Sequence, residues 1–200
     1  MKKLFVLFAL TVLGFTGSAR AQSGEFWFDA GASLLSNSGL GTDQAFGGTK
    51  NDVQLTDGFR FGFRFAVNMG NHYGHEVQYA YNRTHLKFND QGGVEQGMAY
   101  HQGGYNFLYY LLRERSKVRP FGTGGVQFSN YNPPGVSAGS GGGSTKFGVN
   151  YGAGVKVRVT SLFGVRFDVR QYVNGKPFSL PLADGILRQT EISGGFGILF

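Results

Sequence analysis

Gln127-Phe128-Ser129-Asn130 sets a hydroxyl between two amides, and Ser129 is the residue of this chain whose neighbours come nearest to nucleophilic chemistry. A serine attacks only when a base takes its proton, and a glutamine two residues earlier cannot accept one. His101 is the remaining histidine to test as that base, while a strand-end serine is also an ordinary polar terminus. His72 and His75 stand at a spacing that suits a metal, but no third ligand lies near them, so solvated turn residues explain them better. Asn82-Arg83-Thr84 matches a glycosylation acceptor yet falls inside a strand-like segment. Gly135 to Ser144 reads GVSAGSGGGS and lacks the Lys-Ser/Thr that a phosphate-cradling loop requires. The motifs therefore give no catalytic residue, no cofactor and no metal site.

The charges follow a stricter order. In Phe59-Arg60-Phe61-Gly62-Phe63-Arg64-Phe65, alternation along a strand puts every aromatic on one face and cations or a bare glycine on the other, where a helix would mix them. Eight segments carry this alternation, at 25–35, 57–68, 74–86, 97–111, 118–130, 147–159, 163–174 and 187–200. Phe147, Val149, Tyr151, Ala153, Val155, Val157 and Val159 share one face of the sixth; Val165, Phe167 and Val169 share one of the seventh. The opposite faces collect Glu25, Asp29, Arg60, Arg64, Glu76, Arg119, Lys156, Arg158, Arg166, Asp168, Arg170 and Glu191. The fourth segment has aromatic residues on both faces between Tyr105 and Tyr110, which leaves its register open.

The beginning of the chain sets the compartment. Lys2-Lys3, an apolar run from Leu4 to Phe15 and the small residues Ala19 and Ala21 around Arg20 form a secretory signal peptide over residues 1–21, leaving one domain at 22–200. The apolar run is too short for a transmembrane helix, and no later segment approaches one. Removing residues 1–21 takes Lys2, Lys3 and Arg20 from the 19 basic residues and none of the 12 acids, so the remainder has a net charge of +4. That excess is too mild to indicate a nucleic-acid partner. An exported chain with no cysteine has no disulfides to hold it, and 34 Gly with 20 Phe and 10 Tyr favour sheet over helix.

Long polar connections at 36–56, 87–96, 131–146 and 175–186 alternate with short ones near 69–73, 112–117 and 160–162. This is the rhythm of an even-stranded barrel crossing a membrane, with tight periplasmic turns, long external loops and both termini periplasmic. A water-soluble barrel would have to pack all the Phe, Tyr, Val and Ile inside eight strands, whose interior is only just wide enough for side chains. Inverted, the wall faces lipid, closure pairs every backbone amide, and the interior charges have opposite signs to pair with. The expected fold is an all-β, eight-stranded antiparallel up-and-down transmembrane β-barrel.

Ser193-Gly194-Gly195-Phe196-Gly197-Ile198-Leu199-Phe200 resembles the terminal signal read by the barrel assembly machinery, carried by Ser193, Gly195, Ile198 and Phe200. With the export signal and the eight segments, the chain resembles the small outer-membrane barrels of the OmpA/OmpX-like β-barrel domain family. The resemblance implies residence in a Gram-negative outer membrane, among outer-membrane lipid and lipopolysaccharide, with a polar interior and variable loops. The chain stops without the peptidoglycan-binding domain of full-length OmpA-type proteins, so cell-wall tethering is not expected. Some such barrels modify lipid A, and the deacylases among them carry His-aromatic-Ser-Asn; here Gln127 stands in the histidine's place. Arg83, Lys87, Lys146 and Arg188 fall near external strand ends, where lipopolysaccharide phosphates would sit. The expectation is a non-enzymatic barrel with a charge-plugged lumen and a structural or loop-mediated role, its loop partner unassigned. The alternatives are a lipid A-modifying enzyme and a small-solute pore.

Overall fold

The computed structural model describes residues 23–44, 46–135 and 143–200. The signal segment, with Ala19 and Ala21, and most of the glycine-rich stretch lie outside the described residues. The strands are β1 (Ser23–Ser36), β2 (Gly39–Gly41), β3 (Val53–Leu55), β4 (Gly58–Met69), β5 (Tyr73–Phe88), β6 (Val94–Tyr110), β7 (Val118–Asn132), β8 (Ser144–Arg158), β9 (Phe163–Gly175) and β10 (Ile186–Leu199). Eight long ones, β1 and β4 through β10, pair antiparallel with their neighbours, and β10 returns to β1, with Glu25 opposite Leu199 and Ser36 opposite Arg188. Closure leaves no edge, so every long strand has a hydrogen-bonded partner on both sides.

Alternation is translated directly into orientation. Phe59, Phe61, Phe63 and Phe65 point outward and are between 41% and 54% exposed, whereas Arg60 and Arg64 between them are buried. Phe147, Val149 and Tyr151 of β8 and Phe167 and Val169 of β9 are likewise exposed, with Asn150, Asp168 and Arg170 inside. The fourth segment also resolves: Tyr105, Phe107 and Tyr109 face outward, and Gln102, Asn106, Leu108 and Tyr110 face inward.

One connection differs from expectation. The sequence presents residues 36–56 as a loop, but β2 and β3 form a small hairpin there, and β3 pairs with the end of β5 (Val53 opposite Phe88, Leu55 opposite Leu86), prolonging the lane of β4. Three-residue strands are too short to display a period, and Leu40, Val53 and Leu55 pair for the apolar surface they cover. They join Leu86, Met98, Tyr100, Tyr131 and Leu187, with Phe88, Phe178 and Leu180 packed against them, in a cap over the interior at the long-loop end. A smaller apolar cluster, Ala66, Leu108, Tyr110 and Phe121, closes the short-turn end. Trp27 lies buried beside it, in space left by Gly197, where an added Cβ would stand 2.5 Å from the indole ring.

Candidate functional site: the polar lumen

Between the two apolar ends the inward series of β1, β4, β5, β9 and β10 converge. Arg166-Phe167-Asp168-Val169-Arg170 shows the local logic: alternation puts an aspartate between two arginines on one face. Arg166 Nε and Nη2 donate to Asp168 at 2.5 and 3.0 Å, and Arg170 Nε and Nη2 at 3.1 and 3.0 Å. The same two arginines reach across to Glu76 of β5, Arg166 Nη1 at 2.6 Å and Arg170 Nη2 at 2.8 Å. Arg64 of β4 donates from Nε and Nη2 to Asp29 of β1 at 2.9 and 3.2 Å and from Nη2 to Glu191 of β10. Its Nη1 stands 3.6 Å from Asp168 and 3.8 Å from Glu76. Arg60 completes the group, donating to Glu191 at 2.5 Å, while Tyr172 Oη donates to the same carboxylate at 2.7 Å. Four guanidiniums meet four carboxylates, all eight buried, so each desolvated charge has an opposite one in contact.

Toward the short turns, Glu25 accepts from Lys156, from Asn68 at 2.7 Å and from the Trp27 indole at 2.8 Å. Arg119 lies 3.9 Å from Glu25 and stacks over the Tyr110 ring, 3.6 Å from its centroid. Toward the long loops the lumen is uncharged: Gln102 donates to Gln189 at 2.7 Å and to Ser129 at 3.2 Å, and Gln189 donates to Asn82 at 3.1 Å. Ser129 in turn donates to Gln127 at 2.9 Å.

A family model described as the outer membrane protein beta-barrel domain matches residues 7–200. The chain belongs to that family. No curated protein matches it in sequence. Among solved structures it is similar to the outer membrane protein OprG of Pseudomonas aeruginosa, at 13% identity and a TM-score of 0.61, covering 88% of this chain and 96% of that one. The N-terminal β-barrel domain of OprF, also from Pseudomonas aeruginosa, matches at 11% identity and a TM-score of 0.52, over 92% and 100%. Neisserial surface protein A matches at 17% and 0.51, over 88% and 96%. At such identities these neighbours share the fold. This protein is thus a small outer-membrane β-barrel, and its exposed aromatic wall is the surface that meets lipid.

Placement of the remaining candidates follows from strand parity. His101 projects outward, its Nδ1 bonded to Tyr79 Oη at 2.6 Å, so the sheet separates it from Ser129. His75 also faces outward, bonded to Tyr105, and His72 sits in a turn with Nδ1 2.8 Å from the Tyr110 carbonyl. Among the described residues no three His, Cys, Asp or Glu side chains are grouped to hold a metal. Arg158 departs from the interior network expected of it: it is half-buried at the short-turn mouth, donating to the Glu114 carbonyl at 3.1 Å, with no carboxylate within 4 Å among the described residues. Arg83, Lys87 and Arg188 belong to the outward series at the long-loop end. Lys146 does not: it alternates with outward Phe147, and its Nζ is 3.5 Å from Ser179 Oγ of the β9–β10 connection. Ser193 and Gly195 lie on the inward series, where Ser193 donates to Glu191, and Ile198 and Phe200 face lipid.

Sequence reasoning passed over Trp27, Tyr100, Tyr110, Phe121, Tyr131 and Tyr172, which fill much of the lumen. Parity was the available signal: Trp27 falls between outward Phe26 and Phe28, and Tyr172 follows Arg166, Asp168 and Arg170 at the same spacing.

Proposed function

We propose that this barrel is a closed, non-catalytic scaffold of a Gram-negative outer membrane that acts through its long loops, with those loops outside the cell and both chain ends periplasmic. One observation carries this reading: Arg64 alone bridges β1 and β10 and approaches β5 and β9, so the ion cluster spans the lumen from wall to wall. A solute passing through would have to part buried pairs, each costing about 3–5 kcal/mol once one partner is stranded. The apolar cap above adds a second barrier. The separation of His101 from Ser129 weighs against lipid A deacylation, because among the described residues no base reaches the hydroxyl.

The outward guanidiniums of Arg83 and Arg188, with Lys87, suit the phosphates of the outer leaflet, and the final strand suits recognition by the barrel assembly machinery. Recordings of the purified protein in planar bilayers are expected to show no steady conductance, and a large stable current would end the plug reading. Lipid A from cells expressing the protein should keep its acyl chains, as read by mass spectrometry; a lost chain that returns in Ser129→Ala would make the protein an enzyme. Arg83→Ala with Arg188→Ala should lower co-purifying lipopolysaccharide.

A further inference from the structure

The short-turn end carries a second charged feature of opposite design to the lumen. The β6–β7 turn reads Leu111-Leu112-Arg113-Glu114-Arg115-Ser116-Lys117, and Arg113, Arg115 and Lys117 are exposed. Arg113, Glu114 and Arg115 of the turn, with Arg158 and Asn71, wall an open cleft of about 530 Å³, and Lys117 stands beside it. Every charged residue of the central cluster has an opposite charge in contact, but none of Arg113, Arg115, Lys117 and Arg158 has a carboxylate within 4 Å among the described residues. The one acid among them, Glu114, is engaged by Ser23 through its carboxylate and by Arg158 through its carbonyl. The opposite end is different in kind, with Asp43, Asp52, Asp57, Asp90, Glu95 and Asp184 interspersed among its cations. A strip of exposed aliphatic and aromatic residues adjoins the cationic turn: Leu111, Leu112, Val159, Leu162 and Phe163.

We infer that this cleft binds the phosphate of an anionic glycerophospholipid in the leaflet that meets the short turns. Unpaired guanidiniums supply donors in the geometry phosphate oxygens accept, and the adjoining leucines and Phe163 lie where the acyl chains begin. A soluble polyanion such as a cell-wall fragment has no use for that apolar strip, and the combination of cation and hydrocarbon selects a lipid. The inference rests on the proposed orientation for naming the leaflet as periplasmic, though binding itself does not depend on it.

The test is native mass spectrometry of the full chain, purified in neutral detergent and titrated with phosphatidylglycerol or phosphatidylcholine. The unmodified protein should retain phosphatidylglycerol in preference, and added salt should weaken that retention. Each cation near an anionic surface is worth about fivefold in affinity, so Arg113→Gln, Arg115→Gln and Lys117→Gln together should lower retention by at least about tenfold. Lys50→Gln, at the other end and outside the proposed lipopolysaccharide rim, should leave it unchanged. Equal retention of both lipids, a triple variant that binds as before, or displacement of phosphatidylglycerol by a soluble muropeptide would each overturn the inference. Should the triple variant fail to fold, the salt dependence of the unmodified protein decides. Orientation is read separately: Ser116→Cys gives the chain its one thiol, and labelling it in intact cells with an impermeant maleimide would refute the proposed sidedness without touching the lipid result.

Discussion

Arg64→Gln is the perturbation to which the lumen should be most sensitive. Arg64 makes two hydrogen bonds to Asp29, one to Glu191, and lies within 4 Å of Asp168 and Glu76, so its removal leaves four carboxylates facing three guanidiniums. Stranding one member of a buried ion pair costs about 3–5 kcal/mol, and because Asp29 and Glu191 each lose a direct donor the upper half of that range is expected. Glu191 is the one carboxylate paired with Arg60 among the described residues and would keep Arg64, so Arg60→Gln should cost about 1.5–3 kcal/mol, the scale of one hydrogen bond to a charged group. Urea unfolding in lipid vesicles supplies the measurement, because Trp27 is the one tryptophan of the chain and is buried at the base of the lumen. Pairing Arg64→Gln with Glu191→Gln removes a charge of each sign and should recover about 1 kcal/mol or more relative to the sum of the single changes. A loss below about 1 kcal/mol for Arg64→Gln, or one no larger than for Arg60→Gln, would mean that water penetrates the cluster and that the plug is not dry.

Three further perturbations probe other parts of the barrel. Gly197→Val would drive a side chain into the Trp27 ring, so a cost of about 1–3 kcal/mol and a shifted tryptophan emission are expected on refolding. In the loop between β2 and β3, Asp52 accepts from Thr49 Oγ1 at 2.5 Å, Thr49 N at 2.8 Å and Thr42 Oγ1 at 2.7 Å, and these bonds hold its carboxyl below its ordinary range. The order they give the loop is therefore complete at neutral pH and fades as acid protonates the group below that range; limited proteolysis should find the loop resistant at pH 7, and labile in acid or in Asp52→Ala. Leu187→Ala should cost about 2–4 kcal/mol by opening a hole in the apolar cap, with cleavage of the β9–β10 connection as the readout.

The wall of this barrel was legible because a period of two is a property of consecutive residues: Phe59 to Phe65 declares its two faces without reference to anything distant. Strand ends moved by a few residues, as at β6, which begins at Val94 rather than 97, because pairing across to Phe88 extends it beyond its alternating stretch. The interior was legible as a set of residues but not as contacts. That Arg64 bonds Asp29 and Glu191 depends on which strands flank β4 and how far the register is sheared, and neither is written in β4 itself. The β2–β3 hairpin was invisible for the same reason, since its apolar residues pack into a cap assembled from four other strands. Aromatic residues on both faces between Tyr105 and Tyr110 hid the register of β6, where Tyr105 and Phe107 face lipid while Leu108 and Tyr110 floor the lumen.

Cap, cluster and floor depend on one another in a way single variants do not reveal. Two charges about 4 Å apart attract by roughly 1 kcal/mol in water and roughly 4 kcal/mol at an effective dielectric constant of 20, so the same ion pairs are several times stronger where water is excluded. Leu40, Val53, Leu55 and Leu187 exclude it at one end, and Leu108 and Phe121 at the other. The cost of Arg64→Gln should therefore fall when the cap is breached: in a Leu187→Ser background water can solvate the stranded carboxylates, and the double variant should be more stable than the two separate losses imply, by about 1 kcal/mol or more. Strict additivity would show that the cluster was hydrated already, and the apolar cap would then order the loops without governing the charges beneath it.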